Sequence, residues 1–351
     1  MSLHQRYGKA GDPKTFLINM KYSKNKVLGE TTLKILKEKI TLDKQVLILI
    51  NKRGYAPITI CSKCGKKETC NSCDINLVYH KSRKKLICHH CAQEQVINVK
   101  CSNCKADNKK ISLGFGIEKV TEEISKEFKN ISIISLSSDS IKKNNFSEVL
   151  HDIEKGKIKI IIGTQIISKG FNFLKLDSVF ILDFDLWFYN TDIRTNEKIF
   201  QLTQQVSGRT SRDEETGEVY IQTYDTKNYL LKHIILNNRD AFYERELALR
   251  KKIALPPFSK LVAIILNSKN ITFLRKISID IKKMLEPIKG IIVLGPIPAP
   301  IEYIKNEYRY RILIKTNQAF LVQKVLRKYN FNTILSNKAK MKIDVDPLSF
   351  F

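Results

Sequence analysis

Eight cysteines, every one in the chain, fall inside residues 61–104 as four C-x-x-C pairs: Cys61/Cys64, Cys70/Cys73, Cys88/Cys91 and Cys101/Cys104. A C-x-x-C turn aims two thiolates at one point, and a tetrahedral zinc site takes two such turns. Four turns therefore make two closed sites of four thiolates each. Closed sites leave no position for water or substrate, so the metal is structural rather than catalytic. His80, His89 and His90 lie close by, but eight sulfurs already fill eight places, which leaves the imidazoles on the module's surface. A disulfide framework would need an oxidising compartment, and residues 1–20 hold no apolar signal segment. Iron–sulfur ligation is the minor alternative. Spacing alone permits sequential, alternating or nested pairing of the four turns.

A second group of residues suits phosphate chemistry. Gln205, Arg209 and Arg212, in the string QQVSGRTSR, are spaced i, i+4, i+7 and would share one face of a helix over 195–211. Two guanidinium groups held together match the oxygens of a phosphate; a solvated basic helix end is the plainer reading. About forty residues earlier, Thr164, Gln165 and Lys169 stand in GTQIISKGF, directly after an apolar strand. Small polar residues at a strand's carboxyl end face the crevice where α/β sheets bind ligands. Asp183 and Asp185 end the next strand and are read as organising the cleft wall rather than holding Mg²⁺. The P-loop pattern G-x-x-x-x-G-K-[ST] occurs nowhere, and no Asp-Glu-x-His box precedes the sheet. One half of a nucleotide cleft is thus written in the sequence without the other.

These groups need a scaffold. Short apolar strands (TFLINM, QVLILIN, ISIISL, KIKIIIGT, SVFILDF, GEVYIQT) alternate with amphipathic helices, the signature of a parallel α/β sheet. The cysteine module reads as an insertion after the second strand. Residues 228–255 are helical and heavily charged, and stop at Leu255-Pro256-Pro257-Phe258. A small α/β domain follows, with strands expected at 261–267, 290–295, 308–315 and 341–346, helices at 272–286 and 317–329, and a proline-punctuated loop at 296–300. The domains are therefore read as 1–56 (start of the main sheet), 57–110 (zinc module), 111–227 (rest of the sheet domain), 228–257 (helical connector) and 258–351 (C-terminal α/β domain). Sixty-one Lys and Arg against 35 Asp and Glu give a formal charge of +26, which favours a polyanionic partner such as nucleic acid. No stretch is long and apolar enough to span a bilayer, which points to a cytoplasmic chain without membrane contact.

Taken together, these strings resemble the C-terminal half of the bacterial primosomal replication-restart helicases, the PriA family. The likeness is carried by QVLILINKRGYAP, the cysteine spacing, GTQIISKGFNF, DFDLWFYNTDIR, QVSGRTSR, LPPF, LGPIPAP, YRYRILIK and IDVDP. The order of the GT-Q and Q-x-x-G-R-x-x-R strings is that of motifs V and VI in superfamily 2 helicases. The resemblance implies a RecA-like lobe 2 carrying a two-zinc insertion. It implies nested ligation, with Cys61, Cys64, Cys101 and Cys104 on one zinc and Cys70, Cys73, Cys88 and Cys91 on the other. It also implies ATP-driven 3′ to 5′ DNA unwinding in replication restart. Arg209, Arg212 and Gln205 would then serve the ATP site, and Thr164, Gln165 and Lys169 would touch DNA. Forked and single-stranded DNA, single-stranded-DNA-binding protein, primosome components and a separate lobe 1 polypeptide are the implied partners. ATP and Mg²⁺ would bind only with that lobe 1, so this polypeptide alone is expected to be inactive as an ATPase. A non-catalytic DNA-binding or primosome scaffold, from a truncated or split gene, is the alternative. Ser211 stands where the family usually has glycine.

Overall fold

The computed structural model describes residues 12–348 except 51–57, 62–63, 65–67, 73–76, 81–84, 89–92, 97–99, 102, 107–109, 114, 137–145, 165–172, 174, 190–192, 211–215, 319 and 330. Six strands form one parallel sheet: β1 (Lys14–Asn19), β2 (Gln45–Leu49), β8 (Ile133–Leu136), β9 (Ile160–Gly163), β10 (Leu176–Ile181) and β11 (Glu218–Thr223), in the order β1-β11-β10-β2-β9-β8. β2 is an interior strand, and all five of its residues are buried. Its alternation assigns the two faces. Val46 and Ile48 join α1 (Glu30–Thr41) and α2 (Ile117–Glu127) in one core, through Leu36, Val120 and Ile124. Leu47 and Leu49 join a second core with Phe200 of α4 (Thr195–Ser207), Leu230 and Leu231 of α5 (Tyr229–Ile235) and Phe242 of α6 (Arg239–Lys252). α3 (Phe146–Glu154) contributes Ile153 to this second core. A buried apolar side chain of this size contributes about 1.5–3 kcal/mol, so the apolar runs read from the sequence are what hold the layers together.

Between β2 and α2 the chain leaves the sheet. β3 (Ile58–Cys61) and β7 (Lys110–Leu113) pair antiparallel and close the stem of this excursion. Within it, β4 (Val78–His80), β5 (Lys85–Ile87) and β6 (Glu94–Val96) make a three-stranded antiparallel sheet. A short 3-10 segment, Phe184–Tyr189, follows β10.

α5 and α6 are capped by Asn228 and Asn238, whose side chains accept from the amides of Leu230 and Ala241 at 3.0 and 3.1 Å. They lead into a four-stranded antiparallel sheet of order β13-β14-β12-β15, made of β12 (Lys260–Ser268), β13 (Ile291–Ile304), β14 (Glu307–Thr316) and β15 (Lys340–Val345). α7 (Ile271–Leu285), α8 (Leu321–Lys328) and α9 (Phe331–Leu335) cover one face of it, packing on Ile264, Leu266, Ile312 and Ile314.

Three expectations need correction. The segment 296–300 is not a loop but the middle of β13, which runs on to Ile304. The helix expected over 195–211 ends at Ser207. The helix expected over 317–329 is α8, starting only at Leu321, and α9 follows where none was expected. Among the described residues no helix is long and apolar enough to cross a membrane.

Candidate functional site

The first and last C-x-x-C turns meet. The sulfurs of Cys64, Cys101 and Cys104 all lie within 4.8 Å of one another, and Cys64 Sγ is 3.7 Å from Cys101 Sγ. A zinc ion 2.3 Å from four tetrahedral sulfurs sets neighbouring sulfurs about 3.8 Å apart, so this spacing fits the metal. Cys61 ends β3, in register with Lys110 of β7. The turn at Cys101 is tight: Lys105 N donates to Cys101 O at 3.0 Å, with Lys105 at φ +57°. Backbone amides of Cys104 and Asn103 donate to the Cys101 sulfur and hold its thiol below the ordinary value. That makes a better thiolate ligand.

Cys70 and Cys88 form a separate group. Both are buried in one small core with Leu77 and Leu86. Ser72 N lies 3.4 Å from Cys70 Sγ, and the Gln93 side chain lies 3.2 Å from the same sulfur. Cys73 and Cys91 are outside the described residues. The described cysteines thus fall into outer and inner sets, the arrangement that nested ligation requires. A zinc ion in either set would act as a cross-link where the module has little apolar core of its own. The inner core also touches the C-terminal domain: Ile304 packs on it, and Asn306 N donates to Ser72 O at 3.2 Å.

Thr164 follows β9 at the carboxyl edge of the large sheet and is buried. Gln165 and Lys169 lie outside the described residues, as does Arg212. Gln205 is exposed near the end of α4, and Arg209 is half-buried just beyond it. The winding tightens there, because Arg209 N and Thr210 N donate to Val206 O and Ser207 O, both at 3.1 Å. Gln205 and Arg209 therefore stay about one turn apart although the α-helix has stopped. The opposite side of α4, with Ile199, Phe200, Thr203 and Val206, is buried.

Asp185 ties two strand exits together. Its carboxylate accepts from Thr223 Oγ1 and Tyr224 N at 2.8 Å and from Asp225 N at 3.3 Å. An acid so occupied fastens the exit of β10 to that of β11.

One constellation escaped sequence reasoning. Arg250 of α6 pairs with Glu197 in the first turn of α4 and also donates to the carbonyls of Ile193 and Pro256 at 3.2 and 3.1 Å. Glu246, one turn before, accepts from Tyr229 Oη at 2.8 Å and Asn196 Nδ2 at 3.2 Å. Burial, with the Glu246 carboxylate beside it, pushes the Tyr229 phenol up. Phe200 stacks on Phe242 with centroids 4.5 Å apart. The connector thereby grips the arginine-bearing helix along its length.

Comparison with known proteins agrees with this geometry. Residues 98–214 match the helicase conserved C-terminal domain, residues 70–95 the PriA DNA helicase Cys-rich region, and residues 251–348 the primosomal protein N C-terminal domain. The replication restart protein PriA of Rickettsia conorii is 36% identical over all of this chain, which covers 55% of that protein. The chain is similar to the C-terminal half of the PriA replication restart proteins. PriA of Borreliella burgdorferi is 33% identical over 95% of the chain and 50% of the relative, and that of Bacillus subtilis 31% over 89% and 39%. The chain spans about half the length of the curated relatives it matches, in the region of their C-terminal half. Among solved structures, S. cerevisiae Dbp5 bound to RNA and ADP BeF3 aligns over 68% of this chain and 44% of that one, at 12% identity and a TM-score of 0.31. A likeness so loose carries no argument.

Proposed function

We propose that this chain supplies the second motor lobe, the zinc module and the C-terminal domain of an ATP-driven 3′ to 5′ DNA helicase that restarts stalled replication forks in the cytoplasm. The observation that carries this reading is the placement of the helicase strings on one parallel sheet. Thr164 stands at the exit of β9, and Gln205 and Arg209 stand at the end of the helix joining β10 to β11. In this role Arg209 and Arg212 meet the γ-phosphate of an ATP whose phosphate cradle lies on a lobe 1 not contained in these residues, and Gln205 orients the pair. Arginines so placed act only where transition-state charge develops and are worth about a thousand-fold or more in rate. Thr164, Gln165 and Lys169 contact the DNA backbone or relay closure of the cleft. Cys61, Cys64, Cys101 and Cys104 hold one structural zinc, and Cys70, Cys73, Cys88 and Cys91 hold the second. Forked and single-stranded DNA, single-stranded-DNA-binding protein and primosome components are the partners.

The test mixes the purified chain with lobe 1 of a relative and follows DNA-stimulated ATP hydrolysis and fork unwinding. No hydrolysis is expected from the chain alone; the mixture should hydrolyse ATP and lose that activity with Arg212→Ala. Hydrolysis by the chain alone would overturn the two-part reading. Fork binding with no activity in the mixture would favour the non-catalytic scaffold.

A further inference from the structure

The face of the C-terminal sheet turned away from α7 and α8 carries a buried cation with no hydrogen-bond partner at two of its nitrogens among the described residues. Arg311 is 6% exposed, and its Nε and Nη2 have no hydrogen-bond partner among the described residues. In register it lies between Ile265 on β12 and Ile297 on β13. Arg309, two residues along the same strand, is on the same face roughly 7 Å away and is itself partly buried. Of the nearby acids, Glu307 is taken by Lys340 and Asn267, at 2.8 and 3.4 Å. Asp344, opposite Ala263, touches Arg311 only through its field. Burial, with Arg309 alongside, pushes Arg311 down to about 10, so it stays protonated at neutral pH.

A buried guanidinium with unmet hydrogen bonds is costly, and an incoming anion would offset that cost. Here the surroundings suggest what comes. Lys342 continues the positive row beyond Ile265. Ile292, Leu294 and Ile297, 57%, 47% and 61% exposed, line the same face along the edge strand. We propose that Arg309 and Arg311 form an anion site on this face that takes a phosphodiester group of a nucleic-acid strand. The half-buried Arg309 offers its guanidinium to the phosphate oxygens, and the buried Arg311 beside it adds positive charge. The exposed isoleucines and leucine offer apolar contact to sugars and bases beside it. The net charge of +26 supplies the long-range attraction. This assignment rests on the DNA-binding part of the proposed function and adds a place where a strand is held.

The experiment titrates the full chain against a fluorescently labelled oligothymidylate across a salt series, with thermal melts of each free protein. Arg311→Met should bind roughly ten-fold more weakly at low salt, and its log–log salt slope should be shallower by about one. Arg309→Met should behave alike, and Arg311→Lys should recover part of the loss. Lys283→Ala, exposed on α7, should bind as the unmodified chain does. Free Arg311→Met should melt no lower than the unmodified chain, since a stranded charge has been removed. A lower melting temperature together with weaker binding in Arg311→Met and no loss in Arg309→Met would mark a packing role and overturn the proposal. So would inorganic phosphate stabilising the chain through Arg311 while oligothymidylate binding ignores the substitution, or an acidic peptide displacing the oligonucleotide from this face. If the unmodified chain binds no oligonucleotide, the DNA-binding reading fails with it; if it binds and Arg311→Met matches it in affinity and slope, this inference alone fails.

Discussion

Arg250 and Glu197 form an ion pair across the seam between the helical connector and the helix that ends in Arg209, with side chains only 11% and 20% exposed. The same guanidinium reaches the carbonyl of Pro256, where the connector turns into the C-terminal domain. One side chain thus joins the arginine-bearing helix, the connector and the domain entrance. Lys315 of the C-terminal sheet donates in turn to Ile253 O at the end of the connector helix.

Removing one partner of such a pair leaves the other charge stranded. Arg250→Met is expected to destabilise the chain by about 3 kcal/mol, read as a lower urea midpoint with an unchanged m-value. Arg250→Met combined with Glu197→Gln should recover part of that loss, because no bare carboxylate then remains. A double variant no more stable than the single one would show that the carbonyl contacts, not the ion pair, carry the effect.

The metal sites should be separable from the six-stranded sheet. Among the described residues, neither core of the six-stranded sheet contains one from 58–113, whereas the insertion's own core is a handful of side chains around Cys70 and Cys88. Elemental analysis is expected to find two zinc ions per chain, and Cys101→Ala should leave one. Chelation should release hydrogen-exchange protection in β3 to β7 and leave β2, β9 and β10 protected. Loss of protection across all six strands on chelation would refute that independence.

Much of this was readable beforehand, and the failures have specific causes. Short apolar strands report local geometry, so the parallel sheet was accessible; cysteine spacing announced metal-binding turns but not which of them share a site. Glu246 and Arg250 sit in a helix dense with charge, where both look solvated, and their partners Asn196 and Glu197 lie about fifty residues away. No local pattern announces such a contact. The prolines at 296, 298 and 300 suggested a loop, yet β13 is an edge strand, where a missing N–H on the outer side breaks no ladder. The arginine-bearing helix was overextended because its periodicity continues past Gly208, whereas the backbone shifts to tighter turns there.

Acid should weaken the chain in a window set partly by Glu30. Its carboxylate accepts from Ser23 Oγ at 2.6 Å and from the amides of Lys24 and Asn25 at 3.0 and 3.3 Å. These bonds, that of Ser23 foremost, hold it down from 4.5 to about 2. A depressed acid contributes stability that is complete above its unfolded value and disappears as the pH falls through the folded one. The contribution is therefore present at neutral pH and lost between about 4.5 and 2. Glu30→Gln should be less stable than the unmodified chain at pH 7 and converge with it towards pH 2. Parallel stability curves over that interval would rule the carboxylate out.

Two glycines with equally crowded surroundings should respond differently to alanine. At Gly295 the backbone has φ +93°, and an added Cβ would lie 2.8 Å from the carbonyl oxygen of Arg311 and 3.1 Å from the amide nitrogen of Ile297. Neither is a side chain that can swing away, and an L-residue pays strain at that φ as well. At Gly29 the nearest atom is also at 2.8 Å, but it is the sulfur of Met20, in a flexible side chain, and φ is −58°. Gly295→Ala is expected to cost about 2 kcal/mol or more, and Gly29→Ala about half that or less because methionine repacks readily. Urea denaturation of both variants checks the order. Equal losses would mean that crowding alone, and not backbone conformation, sets the need for glycine where β13 bends against β14.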